Sequence, residues 1–289
     1  MLLRVSIGGD RQKLKRLFIS DLDGTLLGSD GTISRKTAEI MNRLTDKDIY
    51  FTFATARSAY SVVHITAPLN INVPCILMNG VSIYDRDNRQ FVKNEYIPVS
   101  ASEQALKAFE ENDVHCFMYK ICDGILTCCY SEITTAVMRS FAEVRKNRYN
   151  KPFVQYDRLI EHADEDVVYF TTTGEYEKLF PVKQASDAIQ GLDSAFYKDT
   201  YEDKWYLELF SHKASKANGV KYLRERYGFD EVVAFGDNLN DLPMFEQADV
   251  KIAVGNAREE VKAAADHIIG TNDEDGVAVY LLAEHNNSR

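Results

Sequence analysis

Leu17-Phe18-Ile19-Ser20-Asp21-Leu22-Asp23-Gly24-Thr25-Leu26-Leu27 is the stretch on which the reading of this chain turns. Its opening, Leu17-Phe18-Ile19, is a short apolar run with β-branched and aromatic character, which predicts a buried parallel strand. Asp21 and Asp23 stand where that strand should end, followed by Gly24 and Thr25. Residues i and i+2 of an extended segment point to the same side, so both carboxylates can face one ligand. Gly24 lets the chain turn away without a Cβ clash. Like charges this close repel, and both stay ionised only with something positive between them. A magnesium ion is the simplest candidate, because it favours carboxylate and carbonyl oxygens and keeps positions open for water and phosphate. The plainer alternative is an acidic turn at a strand end, and the rest of the chain decides between the two.

Composition sets the limits. With 289 residues the chain holds one large domain or two modest ones, and its apolar fraction of 45% and charged fraction of 27% are those of an ordinary soluble globular protein. A net charge of −10 argues against a nucleic-acid partner, which needs a basic surface. Any positive charge facing an anionic substrate must therefore be local, from a metal and a few Lys or Arg. No segment approaches the roughly 18 uninterrupted apolar residues of a membrane span, so no membrane partner is expected. The N-terminal 16 residues lack an apolar core and a small-residue cleavage site, which makes them a poor signal peptide and the cytoplasm the expected location. Cys75, Cys116, Cys122, Cys128 and Cys129 form an odd set without CxxC spacing, as suits reduced, mostly buried thiols rather than a zinc site. The six histidines are scattered, with no pair at metal-ligand spacing, and receive no role.

In chain order, Ser34 caps a predicted helix running to about Asp48, and Ile49 to Ala54 is a second apolar strand. Strand, helix and strand make a βαβ unit with polar residues, Asp21 and Thr55, at the carboxyl ends, where open α/β sheets bind ligands. A third run, Cys75 to Met78, ends in Asn79-Gly80. From about Tyr84 the texture changes. Asp85 to Arg89 predicts a hairpin turn, followed by helices near Ser102–Glu111 and Glu132–Arg145. Strands are expected at His115–Ile121, Ile125–Tyr130, Val167–Thr172, Ala195–Lys198 and Trp205–Phe210. Strands flanked by turns as well as helices predict an α+β layer with an antiparallel sheet, taken as an insert over residues 85–211. The basic run Arg145-Lys146-Asn147-Arg148 suits a helix end, where cations favour the dipole. After the insert, Lys216 opens a helix through Val220, Tyr222 and Leu223, and Val232 to Phe235 is a strand ending in Gly236-Asp237-Asn238-Leu239-Asn240-Asp241.

These segments together carry a resemblance. DLDGT resembles the first motif of the haloacid dehalogenase-like hydrolases, whose commonest members are phosphatases. Thr55 matches the second motif, and Arg57 a basic position common after it, although Ala56 stands where Gly is usual. Lys216 resembles the third motif, with Lys213 as runner-up in a short stretch of uncertain register, and GDNLND at residues 236–241 matches the fourth. The insert falls where the Cof-type subfamily carries an α/β cap.

The resemblance implies an α/β fold: a Rossmann-like, doubly wound, mostly parallel core of residues 1–84 and 212–289, with an α+β cap of residues 85–211 that selects the substrate. It implies Asp21 as nucleophile, Asp23 as general acid and base, Thr55 and Lys216 as further catalytic groups, and Mg²⁺ held by Asp21, Asp23 through its carbonyl, Asp237 and Asp241. Arg57, Asn79, Gly80 and Asn240 join Thr55 and Lys216 in binding substrate. The expected activity is a magnesium-dependent phosphatase acting on a small phosphate ester, foremost a sugar phosphate, in a monomer or small homo-oligomer. A phosphomutase using the same aspartyl-phosphate, or a binding module without turnover, are the alternatives.

Overall fold

The structure is a computed structural model describing residues 14–47, 49–198 and 204–287. Residues 1–13 of the segment read against a signal peptide, and Asp48 at the expected end of the first helix, lie outside these residues.

The chain opens with β1 (Arg16–Ser20), α1 (Arg35–Thr45), β2 (Tyr50–Phe53) and α2 (Ala59–Ile65). Ser34 caps α1, its hydroxyl accepting from the Thr37 amide at 2.9 Å. Next come β3 (Cys75–Leu77), β4 (Ser82–Asp85) and β5 (Gln90–Asn94), a three-stranded antiparallel sheet whose second turn spans the expected Asp85–Arg89. There follow α3 (Val99–Glu111), β6 (Phe117–Cys122), β7 (Ile125–Tyr130), α4 (Ala136–Tyr149), β8 (Phe153–Gln155), β9 (Val167–Gly174), α5 (Tyr176–Asp187), β10 (Leu192–Lys198) and β11 (Trp205–Ser211). The last third holds α6 (Lys216–Tyr227), β12 (Glu231–Gly236), α7 (Leu242–Phe245), β13 (Val250–Ala253), α8 (Glu259–Ala264), β14 (His267–Ile268) and α9 (Gly276–Asn287).

The central sheet is parallel throughout, in the order β14-β13-β12-β1-β2. β1 sits inside the sheet, between β12 and β2, because its apolar residues, Leu17, Phe18 and Ile19, are buried on both faces. Its register sets Ser20 beside Phe235 on one side and Phe53 on the other. Asp21, Asp237 and Thr55 therefore emerge next to one another at the carboxyl edge. β3 joins β2 through a single parallel bridge, Ala54 to Ile76, so the third apolar run flanks this sheet while pairing mainly with β4.

The second sheet runs β10-β11-β9-β6-β7-β8, antiparallel except for β7 with β8. One face carries α3 and α5, with Leu106, Phe109, Leu179 and Val182 packed on Phe170, Leu207 and Leu209. The other carries α4 and faces the chain around Met78, Val81 and Ala214. Two elements here have no sequence signal: β8 is only three residues long, and α5 contains Pro181 in its interior, which breaks a helical pattern. All five cysteines are free thiols, Cys122 exposed and the others buried. Among the described residues no helix is long and apolar enough to cross a membrane.

Lys151, legible in the sequence only as punctuation before Pro152, is 3% exposed. Its Nζ stands 3.7 Å above the Tyr119 ring. Burial pushes its pKa down to about 7 from 10.5, with Cys128 opposing and Arg145 adding to the shift. Between these values the unfolded chain holds the proton and the folded chain does not, so this residue's charging cost is full below about pH 7 and fades as pH rises toward 10.5. The cation–π contact offsets part of that cost. Lys151→Met is expected to gain about 2–4 kcal/mol near neutral pH, shrinking toward zero by about pH 10. Urea unfolding of both proteins at several pH values checks this, and a gain that does not vary with pH would contradict it.

Candidate active site

β1 delivers Asp21 in extended conformation, with φ −62° and ψ 162°. The Asp21 amide donates to the Phe235 carbonyl at 2.9 Å, and Ser20 Oγ donates to the Asp21 carbonyl at 2.7 Å. The chain then turns sharply at Gly24, where φ is +79°. A Cβ there would lie 2.5 Å from Asp237 Oδ2, so the glycine is required by the neighbouring carboxylate as much as by the turn. Thr25 Oγ1 donates to Asp237 Oδ1 at 2.8 Å and fixes that side chain. Gly236, before Asp237, has the same relation to Asp241: a Cβ would fall 2.6 Å from Asp241 Cβ.

Lys216 is 2% exposed and lies between two buried carboxylates. Its Nζ donates to Asp21 Oδ1 at 2.5 Å and to Asp241 Oδ1 at 2.7 Å. The other oxygen of Asp241 accepts from the Asp237 and Asn238 amides at 3.0 and 3.1 Å, which curls residues 237–241 into a tight capped turn. α6 begins at Lys216 because Ser215 caps it, accepting from the Asn218 amide at 3.0 Å. Lys213 is exposed, so the register left open between the two lysines falls to Lys216.

Thr55 is fully buried, and its hydroxyl accepts from the Arg57 amide at 3.2 Å. The Arg57 guanidinium grips Asp23 bidentately at 2.8 and 2.6 Å and meets the Tyr149 phenol at the end of α4. Asn79 has a left-handed backbone, φ +53°, and its buried Oδ1 has no partner among the described residues. Gly80, expected to bind substrate, is pressed against the cap of α6: a Cβ would lie 2.1 Å from the Ser215 carbonyl oxygen. Asn240 is exposed at the mouth of the turn.

Burial would favour a neutral Lys216, but attraction from Asp21 and Asp241 outweighs it and holds the ammonium charged. Burial likewise pushes the Asp237 carboxyl up to about 6, against the Thr25 hydrogen bond and with Asp241 adding repulsion. Carboxylate oxygens of Asp21, Asp237 and Asp241 lie within 4.8 Å of one another. This all-oxygen acidic cradle, shaped by two glycines that leave it no competing side chain, fits a hard divalent cation such as Mg²⁺. Sequence reasoning missed the groups that hold the cradle. Thr25 is one, and Asn256 is another, donating to the Gly24 carbonyl at 2.7 Å while accepting from the Asn272 amide at 3.0 Å. Thr25 lies inside the first motif, whereas nothing in the sequence marks Asn256.

Comparison with known proteins places this geometry among relatives. The family model described as haloacid dehalogenase-like hydrolase matches residues 18–281. The phosphatase YwpJ of Bacillus subtilis is 29% identical over 287 residues, covering 91% of this chain and 97% of its own. The pyridoxal phosphate phosphatase YbhA of Escherichia coli is 25% identical, with 93% of this chain and 98% of its own covered. A crystal structure of a haloacid dehalogenase-like hydrolase from Bacteroides thetaiotaomicron superposes with a TM-score of 0.78 at 27% identity, over 93% of this chain and 99% of that one.

The packing of Gly80 on Ser215 makes a sharp prediction. Gly80→Ala adds a methyl group that overlaps backbone, at a φ of +105°, and is expected to cost about 3 kcal/mol or more and to displace the Lys216 helix cap. Gly31→Ala, also at positive φ but with open space around it, should cost only about 1 kcal/mol. Denaturant unfolding of the two variants side by side would expose the error if their losses were equal.

Proposed function

The chain belongs to the haloacid dehalogenase-like hydrolases and is a phosphatase, and we propose that it is magnesium-dependent, hydrolysing small phosphorylated metabolites, sugar phosphates foremost, through an aspartyl-phosphate. The observation that carries this reading is the meeting of Asp21, Asp237, Asp241 and Lys216 in one buried cluster at the carboxyl edge of the sheet. In this reading residues 1–84 and 212–289 supply the catalytic core, and residues 85–211 cover it and select the leaving group. That YbhA is by name a phosphatase of pyridoxal phosphate supports a small phosphorylated metabolite as substrate.

Asp21 is the nucleophile. Lys216 holds its Oδ1, which orients the carboxylate and offsets its repulsion from an incoming phosphate dianion. Thr55 keeps its hydroxyl proton free for a phosphoryl oxygen, since among the described residues its oxygen serves only as acceptor to the Arg57 amide. Asp23 is the general acid and base: it protonates the leaving alcohol, then as a carboxylate draws a proton from the water that releases phosphate. Arg57 occupies both Asp23 oxygens, and an entering phosphate ester competes for that guanidinium and frees Asp23. Asp21, Asp237, Asp241 and the Asp23 carbonyl would hold Mg²⁺, which when bound screens the charge that the phosphoryl group brings.

Asp21→Asn is expected to reduce turnover of p-nitrophenyl phosphate by about 10³-fold or more, and EDTA to abolish it until Mg²⁺ is restored. p-Nitrophenolate leaves without a proton, so Asp23→Asn should still label covalently in a first burst but release phosphate slowly. Rapid-quench measurement of phosphoenzyme and free phosphate decides the matter: full turnover by Asp21→Asn ends the nucleophile assignment, and an unchanged steady state in Asp23→Asn ends the acid–base one. A panel of phosphorylated metabolites, with and without Mg²⁺, tests the substrate class.

A further inference from the structure

β11 has two faces of different chemistry. Trp205, Leu207 and Leu209 pack into the apolar cluster beneath α3 and α5. Tyr206, Glu208 and Phe210 alternate onto the opposite face. Phe210 packs in the cluster that includes Met78, Val81 and Ala214, which are chain neighbours of Asn79 and of the Lys216 helix. The Glu208 face is therefore the one turned toward the catalytic end of the central sheet.

A carboxylate is an unusual choice at that position. Glu208 is 9% exposed and lies between Thr171 on β9 and Ala195 on β10, both too short to cover it. Tyr197 donates its phenol to Oε1 at 3.1 Å, and Tyr169, stacked on Phe210 at 6.0 Å, presents a second phenol to the same group. Arg145 of α4 is the cation that faces it, and Tyr119 packs against Tyr169 at 5.7 Å. Oε2 has no partner among the described residues. A buried acceptor left without a donor costs stability unless a ligand supplies one.

We infer that Glu208 is a specificity-determining residue, whose Oε2 accepts hydrogen bonds from hydroxyl groups on the leaving group of the substrate. The inference rests on the phosphatase reading above and gives it a substrate class, phosphate esters of polyhydroxylated alcohols. The phenols of Tyr169 and Tyr197 fix the carboxylate, and the surrounding rings offer an apolar wall to the carbon face of such an alcohol. An ester without a hydroxyl donor leaves Oε2 as it stands and gains nothing from it.

The experiment compares the Mg²⁺-loaded wild type with Glu208→Gln on two substrates, p-nitrophenyl phosphate and the hexose phosphate that the wild type hydrolyses best. Gln keeps the size but offers an uncharged acceptor and a competing donor. The kcat/KM of the variant on the sugar phosphate is expected to fall about 10- to 100-fold, while that on p-nitrophenyl phosphate stays within about twofold. Equal losses on both substrates would reveal a structural role, and no loss on either would remove the role altogether. If Glu208→Gln fails to fold, the wild type with monodeoxy analogues of that hexose phosphate is decisive: one analogue should lose about tenfold, and uniform rates across the series overturn the inference. A wild type that cleaves the aryl ester but no sugar phosphate overturns it while leaving the phosphatase reading intact. Turnover of neither removes both.

Discussion

The Lys216 ammonium, buried between Asp21 and Asp241, is the contact on which the remaining arrangement depends. Placing a charged amine where almost no water reaches is costly, and only two close carboxylates make it tolerable. Each of the three partners comes from a different part of the chain: the end of β1, the start of α6 and the turn after β12. The contact thereby ties the inserted layer's exit to both halves of the central sheet. Gly80 lies against Ser215, so the loop that leads into the insert supports the cap of the same helix. The glycines at 24, 80 and 236 share one purpose. Each removes a methyl group from a place where backbone or carboxylate must approach more closely than any other residue allows.

Around that contact the fold divides its tasks by layer. The parallel sheet is rigid and apolar up to its last residue, which lets it set Asp21, Asp237 and Thr55 side by side by strand register alone. The antiparallel sheet turns one apolar face to α3 and α5 and a mixed polar and aromatic face the other way. The two layers touch through Arg57, whose guanidinium reaches Asp23 below and Tyr149 above. A single side chain thus links Asp23, two residues from Asp21, to the end of α4.

How much of this the sequence disclosed follows from where the chemistry is local. The strand ends are local: an apolar run followed by DLDGT or GDNLND states both the strand and its polar tip within eleven residues. Site geometry that depends on distant contacts is not local. The choice of Lys216 over Lys213 is fixed by Ser215 as helix cap, a register no periodicity could settle. Gly80 is assigned to substrate by the family resemblance alone, and its contact with a backbone more than a hundred residues downstream has no local sign. Between residues 85 and 211, α5 is hidden by Pro181, and nothing in the sequence marks Lys151 or Glu208 as buried. Glu208 is buried between β9 and β10, and Lys151 over Tyr119 of β6 and near Cys128 of β7, all distant in the chain. Charged residues carry no periodic mark that separates a buried one from an exposed one.

The balance of charge in the site argues for what it accommodates. Four carboxylates, Asp21, Asp23, Asp237 and Asp241, face two cations, Lys216 and Arg57, which leaves an excess of two negative charges at one strand edge. A fold under no functional demand would relieve that excess by exchanging an aspartate for an asparagine, at no cost in shape. Instead Asp237 has its carboxyl pushed up to about 6 by burial and by its neighbour Asp241, a cost that a further cation would relieve. The excess equals the charge of one divalent ion, and the donors are all hard oxygens, so size and charge select the same class of partner. With that deficit met, Arg57 is the cation at the rim of the carboxylate cluster, partly open to solvent, and the proposed reaction would have it turn from Asp23 toward an arriving anion. The geometry thus separates the two cations, keeping Lys216 on Asp21 and Asp241 inside the cluster and Arg57 on Asp23 at its rim.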